Sequence, residues 1–161
     1  MGEKQIFNPK DAIQANQGKV FVILDGQRKH WMNVKQIKVS ENIKNGEIKR
    51  LGAMRTQHRP VSSSVEGSMT VYWVDSTVQD MVLKFAEQGV TTFFDVQGVH
   101  EDPSSNSGKN TYLFTDCVWD GEIPLFESDS DGEFLEQELN FLPNGVQKLS
   151  GFQNSTSIIA G

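Results

Sequence analysis

Apolar and polar residues alternate along much of the chain, a pattern typical of β-strands that bury one face. An apolar run at 19–24 is followed by Asp25-Gly26 and a second run. Asp-Gly between two such runs favours a hairpin, because both central residues of a type I′ turn need positive φ. Asn45-Gly46 repeats the device, so we predict a second hairpin around it.

The second predicted hairpin is rich in charge. Its charged residues are Lys35, Lys38, Lys44, Lys49, Arg50, Glu41 and Glu47. They indicate that at least one face is solvated or meets a charged partner. The alternation slips between Val34 and Ile37, which predicts a β-bulge.

Residues 51–64 have no hydrophobic period, and we interpret them as an extended, basic arm. A strand with clear alternation follows from Val65. Its apolar face carries Val65, Met69, Val71 and Trp73, and its polar face carries Glu66, Ser68, Thr70 and Tyr72. Gly67 falls on the apolar face, where it can admit a close neighbour.

One segment, STVQDMVLKFAEQG, has a helical period. Its apolar stripe consists of Val78, Met81, Val82 and Phe85. Ser76 or Thr77 can cap the N-terminus with help from Asp80, and Gly89 stands where a C′ residue belongs. We predict a helix that buries this stripe.

Three further strands are predicted, at 91–100, at 111–126 with an interruption near Asp120-Gly121, and at 133–142. In the last, Leu135, Leu139 and Phe141 alternate with Glu136, Glu138 and Asn140, so its second face is acidic and exposed in the monomer. The predicted class is mainly β: a β-sandwich or partial barrel of about seven strands with one packed α-helix. We expect an N-terminal arm at 1–18, this domain at 19–142 and a polar tail at 143–161.

The composition suits a single soluble domain. The chain has 161 residues, of which 37% are hydrophobic and 22% charged. No apolar run reaches the roughly 18 residues of a spanning helix, and the first residues lack the apolar core of a signal peptide, so we expect the protein to stay where it is made until the cell lyses. The single cysteine, Cys117, excludes an internal disulfide and a multi-cysteine zinc site. A net charge of -6 argues against a dedicated nucleic-acid binder.

Catalytic motifs are absent from the sequence. No nucleophile motif surrounds His30, His58 or His100, and no glycine-rich phosphate loop joins a strand to the helix, so we expect neither an enzyme nor a cofactor. Few basic residues in an acidic chain would bind phosphates only weakly.

An acidic stretch at 127–138 resembles an EF-hand calcium loop. Its loop positions 1, 3, 5, 6 and 12 are Glu127, Asp129, Asp131, Gly132 and Glu138. However, position 1 is usually Asp, and both flanks are predicted strands rather than helices. An acidic turn that enters a strand explains the same residues, and a calcium-dependent binding module remains the alternative.

The order and spacing of the elements resemble a known family. The stretches that carry the likeness are LDG at 24–26, GAMRTQHR at 52–59, VEGSMTVYWV at 65–74 and ELNFLPNGVQKLSGF at 138–152. Over roughly residues 18–152 the chain resembles the tail tube proteins of contractile phage tails, in particular the PBSX-like, XkdM-type group.

The resemblance implies a structural, non-enzymatic role. Subunits of this family form hexameric rings that stack into a hollow tube, whose inner β-barrel is completed on oligomerisation and through which DNA passes. It implies self-association, partners among sheath, baseplate and tail terminator proteins, and a place in the virion tail after assembly in the host cytoplasm. A siphophage tube, a bacteriocin or secretion-system tube, or a tail-completion protein are the alternatives.

On this hypothesis the charged segments acquire roles. The inter-subunit arm would present Arg50, Arg55, His58 and Arg59. Acidic partner loops or lumen positions would be Glu101, Asp102, Asp129, Asp131, Glu136 and Glu138. Carboxylates that face the lumen would keep DNA sliding by repulsion.

Overall fold

The computed structural model describes residues 18–24, 26–30, 34–73, 76–101 and 108–151, with the backbone alone at 27–30. The strands are β1 Gly18–Leu24, β2 Gln27–His30, β3 Val34–Ile48, β4 Gln57–Tyr72, β5 Phe94–Glu101, β6 Lys109–Asp120, β7 Glu136–Leu142 and β8 Gly145–Ser150, and the helix is α1 Thr77–Gln88. The predicted mainly β class with one helix is confirmed.

The described strands pair antiparallel in one hydrogen-bonded path. Its order is β2-β1-β5-β6-β7-β4-β3, with β8 added beside β6. Because β2 and β3 end the path, it does not close into a barrel within the described chain. The helix spans 12 residues, and no helix in the described ranges is long and apolar enough to cross a membrane.

Two compact units make up the fold, and β6 contributes to both. The first unit contains β1, β2, β5, β8 and β6 as far as Cys117. Leu24 pairs with Gln27 across the predicted hairpin, and Gly26 has a φ of 77°, whereas Asp25 lies outside the described residues. The buried apolar residues of this unit are Val20, Phe94, Val96 and Cys117.

The second unit contains β3, β4, α1, β7 and the end of β6. Strand β4 lies between β3 and β7, and its predicted alternation is confirmed, since Met69 and Val71 are buried and Ser68 is exposed. Gly67 admits a close neighbour as predicted. A Cβ at this position would lie 2.6–2.7 Å from two ring carbons of Phe141.

The prediction of a turn at Asn45-Gly46 is wrong. Strand β3 continues through both residues to Ile48, and Gly46 pairs with Arg59. Gly46 provides room rather than a turn, because a Cβ there would lie 2.9 Å from Val61 Cγ1. The chain reverses beyond the end of β3, where Gly52 has a φ of 80°.

The segment 51–64 is not a loop throughout, because residues 57–64 belong to β4 and pair with β3. Both faces of this part of the hairpin are exposed, so its sequence has no reason to alternate. The predicted bulge after Val34 is confirmed by a register shift between Val34 and Gln36. A second shift lies between Lys44 and Asn45 and leaves Val61 as the extra residue of β4.

Several boundaries also differ from prediction. Strand β6 ends at Asp120, before Gly121 with its φ of 68°, so residues 122–126 are irregular rather than strand. Strand β8 forms within the segment interpreted as a polar tail. It pairs with β6 and leaves most of its side chains exposed, which explains its polar sequence.

The predicted helix is confirmed at 77–88. Gly89 has a φ of 69°, and its N–H donates to the Phe85 carbonyl at 2.8 Å, as in a C-terminal αL cap. Ser76 occupies the N-cap without a side-chain hydrogen bond. The predicted stripe is buried at Val78, but Phe85 is 58% exposed, so its burial within the subunit was predicted wrongly.

Candidate subunit-contact surfaces

The distal part of the β3–β4 hairpin, residues 41–64, is exposed at every position except the half-buried Gly46. We call it the hairpin tip. A two-stranded ribbon exposed on both faces is marginally stable in water and gains from a partner. Its apolar side chains are also exposed. They are Ile43, Ile48, Leu51, Met54 and Val61.

Basic residues dominate the charge of the hairpin tip. It contains Lys44, Lys49, Arg50, Arg55, His58 and Arg59, against Glu41 and Glu47. Arg50 and Arg55 lie between the two strands, and the Arg50 carbonyl accepts a hydrogen bond from Ala53 N–H at 3.3 Å. His58 and Arg59 lie on β4 opposite Glu47 and Gly46. The structure therefore brings the four predicted arm residues to one tip.

The connection between β6 and β7, residues 121–135, has the opposite charge. We call it the acidic loop. It carries five acidic residues and neither lysine nor arginine; they are Glu122, Glu127, Asp129, Asp131 and Glu133. Phe126 is 86% exposed and Phe134 is 78% exposed. Large exposed aromatic side chains flanking an acidic turn are typical of a contact surface.

Hydrogen bonds hold the acidic loop near both of its ends. Gln79 of α1 is buried, and its Nε2 donates to the Pro124 carbonyl at 2.9 Å and to Gln137 Oε1 at 2.8 Å. At the other end, Trp73 N–H donates to the Leu135 carbonyl at 2.9 Å. Gln79 is not among the residues predicted from the sequence, although its position beside the apolar stripe of a predicted amphipathic helix was an available signal.

The EF-hand alternative lacks the structural context of that motif. The acidic loop connects β6 to β7 rather than two helices, and Glu138 lies on β7 opposite Thr70. Within the loop, Asp131 N–H donates to Asp129 Oδ1 at 3.0 Å, a local turn that explains an acidic sequence. The described residues contain no group of three or more His, Cys, Asp or Glu side chains placed to hold a metal ion.

The solvent-exposed face of β3, β4 and β7 is polar, and we call it the polar face. It forms a shallow groove of about 460 Å³, lined among others by Lys38, Ser40, Glu66, Ser68, Asp120 and Asn140. Exposed Glu138 follows the same alternation as Asn140 along β7. Small hydroxyl and amide groups with a few charges of both signs thus cover this face.

Glu136, which lies on β7 with Glu138 and is also a predicted lumen position, is paired with a cation. Lys35 Nζ lies 2.9 Å from Glu136 Oε1, and this hydrogen bond, reinforced by the charge of Glu136, raises the pKa of Lys35 above its usual 10.5. Lys35 is the extra residue of the β3 bulge. The sequence predicted this bulge but not the ion pair between Lys35 and Glu136. Glu138 is therefore the stronger candidate for a free carboxylate on this strand.

Glu101, an alternative acidic partner, ends β5 opposite Lys109 of β6, and Asp102 lies outside the described residues. Cys117 is fully buried, and burial, reinforced by Asp95, raises the pKa of its thiol to about 12. A thiol held neutral in this way is a poor nucleophile.

The described chain combines a long antiparallel hairpin, a strand path with open ends and a single helix. The sequence model of the family described as "Phage tail tube protein" matches residues 5–149. The chain belongs to this family of virion structural proteins, whose place is the tail of the particle.

Individual proteins also resemble the chain, one in sequence and others in fold. The phage-like element PBSX protein XkdM of Bacillus subtilis (strain 168) is 26% identical over 132 residues, 82% of this chain and 86% of XkdM. A chain of the anti-feeding prophage baseplate shares the fold with a TM-score of 0.66 at 10% identity, covering 90% of this chain and 98% of its own. A chain of the sheath-tube complex of an extracellular contractile injection system, PVC, in its extended state gives 0.64 at 12% identity, covering 88% and 94%.

Proposed function

We propose that the chain polymerises as stacked hexameric rings into the hollow inner tube of a phage tail or phage-tail-like particle, without enzymatic activity. The observation that carries this proposal is the hairpin tip, a ribbon that exposes both faces and several large apolar side chains. A monomer gains nothing from this exposure, whereas a polymer buries it against neighbouring subunits.

The open strand path supports ring formation. Strand β3 is 15 residues long and pairs, within the described chain, with β4 alone. A long unpaired strand edge is a liability in a soluble monomer, and joining the sheets of neighbouring subunits removes it. Closing a ring in this way completes an inner β-barrel, as the family resemblance implies.

The polar face suits the lumen of such a tube. Serine, threonine and asparagine side chains make this face hydrophilic, and its acidic residues Glu66, Glu138 and Asp120 outnumber the basic Lys38. This balance repels phosphates weakly and leaves DNA free to slide without specific binding. Sheath, baseplate and tail terminator proteins are the expected partners, and the host cytoplasm is the expected place of assembly.

Apolar substitutions at the hairpin tip test the proposal. Leu51 and Met54 are fully exposed in the subunit, so Leu51→Ser/Met54→Ser leaves the melting temperature of the monomer unchanged. Polymerisation, followed by sedimentation and negative-stain electron microscopy, should be lost, because these side chains are buried in the tube.

A matched control comes from α1, which is not part of the hairpin tip. Phe85→Ser also removes an exposed apolar side chain, and it should polymerise like the wild type. Tubes formed normally by Leu51→Ser/Met54→Ser would refute the role assigned to the hairpin tip.

A further inference from the structure

The hairpin tip and the acidic loop have complementary charge. The tip contains five Lys and Arg residues with His58 against two Glu residues, and the loop contains five Asp and Glu residues with no Lys or Arg. Opposite charge on two surfaces steers their encounter and fixes their register. Both surfaces are exposed in the subunit, so each is available to a second molecule.

Both surfaces also expose apolar side chains beside their charges. The tip presents Leu51 and Met54, and the loop presents Phe126 and Phe134. Aromatic and methionine side chains are enriched in the cores of protein interfaces, with charged residues around them. The pair of surfaces therefore offers both parts of an interface: an apolar centre and a charged rim of opposite sign.

The acidic loop is held in place before it meets a partner. Gln79 fixes it at Pro124, Trp73 fixes it at Leu135, and Asp129 closes a turn at its acidic centre. A surface that is already ordered loses less conformational entropy on binding than a free loop would.

We propose that the hairpin tip of one subunit docks on the acidic loop of a second copy of this chain. The inference rests on the proposed function, because it names the partner surface within the same polymer. One subunit donates the tip and receives another tip at a different surface, so the contact is heterologous. Repetition of a heterologous contact whose rotation does not close gives an open filament.

The other acidic candidate is less suitable. Glu101 lies directly opposite Lys109 on the neighbouring strand, so charges of both signs meet at this strand end and it is not an acidic surface. The acidic loop has no such cation within its own sequence and adds two exposed aromatic rings.

Charge reversal on each surface tests the contact. Arg55→Glu/Arg59→Glu changes the charge of the tip from +3 to -1, counting Lys, Arg and Glu, and Glu127→Lys/Asp131→Lys/Glu133→Lys changes the charge of the loop from -5 to +1 while keeping the turn at Asp129. Each set of substitutions should raise the protein concentration needed for polymerisation by about tenfold or more, because like charges then face each other. All five substitutions in one chain give the two surfaces opposite charges again and should bring that concentration back towards the wild-type value.

Folding assays, a charge control and an aromatic variant complete the experiment. Circular dichroism and the melting temperature establish that each variant is folded, and Glu87→Lys on α1 controls for an added positive charge at another exposed site. Phe126→Ser/Phe134→Ser should also weaken polymerisation, because it removes the aromatic part of the interface.

The results separate this inference from the proposed function. If the wild type polymerises, normal assembly of either charge variant would overturn the pairing while leaving the tube intact. Failure of the combined five-residue variant to recover would do the same. A wild-type chain that stays monomeric at every concentration would count against the tube itself and the pairing with it.

Discussion

Replacement of Gly67 by alanine tests the packing at the centre of the second unit. Gly67 lies on β4 directly opposite Phe141 of β7, and the ring covers the position where a Cβ would stand. Phe141 is fully buried and packs edge-on against Trp119, with ring centroids 6.4 Å apart and planes at 82°. The ring therefore has little room to move when a methyl group is added beneath it.

The cost of Gly67→Ala follows from this geometry. Adding one carbon to a well-packed core costs about 1–3 kcal/mol through displaced side chains and backbone. Alanine otherwise favours a strand interior over glycine by about 0.5–1 kcal/mol, which leaves a net loss of up to about 2.5 kcal/mol in the free energy of unfolding. Because the buried Phe141 ring has little room to move, the loss should lie in the upper part of this range. Urea unfolding of the monomer, followed by tryptophan fluorescence and circular dichroism, measures it.

Gly98→Ala is the matched control. Gly98 lies within β5, and a Cβ there would meet nothing within 4 Å. This variant should be as stable as the wild type or slightly more stable. Equal effects of the two substitutions would refute the close-approach argument. A double variant with Phe141→Leu should lose less than the two single losses together, because the smaller side chain makes room for the methyl group.

Three further predictions follow from buried and paired polar groups. Gln79→Leu leaves Gln137 Oε1 and a loop carbonyl without their donor and should cost about 1–3 kcal/mol in urea unfolding; unchanged stability would contradict that role. Burial raises the pKa of Cys117 to about 12, so the folded chain keeps a proton that the unfolded thiol releases above about pH 9. The contribution of the neutral thiol to the free energy of unfolding is therefore complete below pH 9 and is lost as the pH rises towards 12. Between pH 8 and 10, the free energy of unfolding of Cys117→Ala should fall less than that of the wild type. Glu136→Gln should return the pKa of Lys35 towards 10.5 in a proton NMR titration, and an unchanged pKa would mean that the ion pair is not formed in solution.

Local alternation predicted much of the fold because several strands bury one face. The faces of β4 and β7 and the slip at the β3 bulge follow directly from side chains that alternate between core and solvent. The end of α1 was predictable from Gly89, since a left-handed C′ position favours glycine.

The hairpin tip was beyond such reasoning. Its strands are exposed on both faces, so their sequence carries no period that predicts a strand at 57–64. Asn45-Gly46 has the chemistry of a turn, but Gly46 is required by Val61 across the strand pair, a contact that only the register reveals. Likewise, Phe85 continues an apolar stripe that the subunit itself does not bury.

The candidate surfaces were predictable in composition but not in shape. Clusters of basic and acidic residues are visible in the sequence, whereas the ribbon that carries one and the hydrogen bonds that hold the other are not. Lys35 and Glu136 are separated by 101 positions, and only the pairing of the strands brings them to 2.9 Å.

Electron microscopy of the purified wild-type chain in negative stain, across a concentration series, tests the central claim most directly. The account predicts that rings and then hollow tubes of uniform width with six-fold symmetry appear as the concentration rises. Monomers alone at every concentration, with the fold confirmed by circular dichroism, would contradict it.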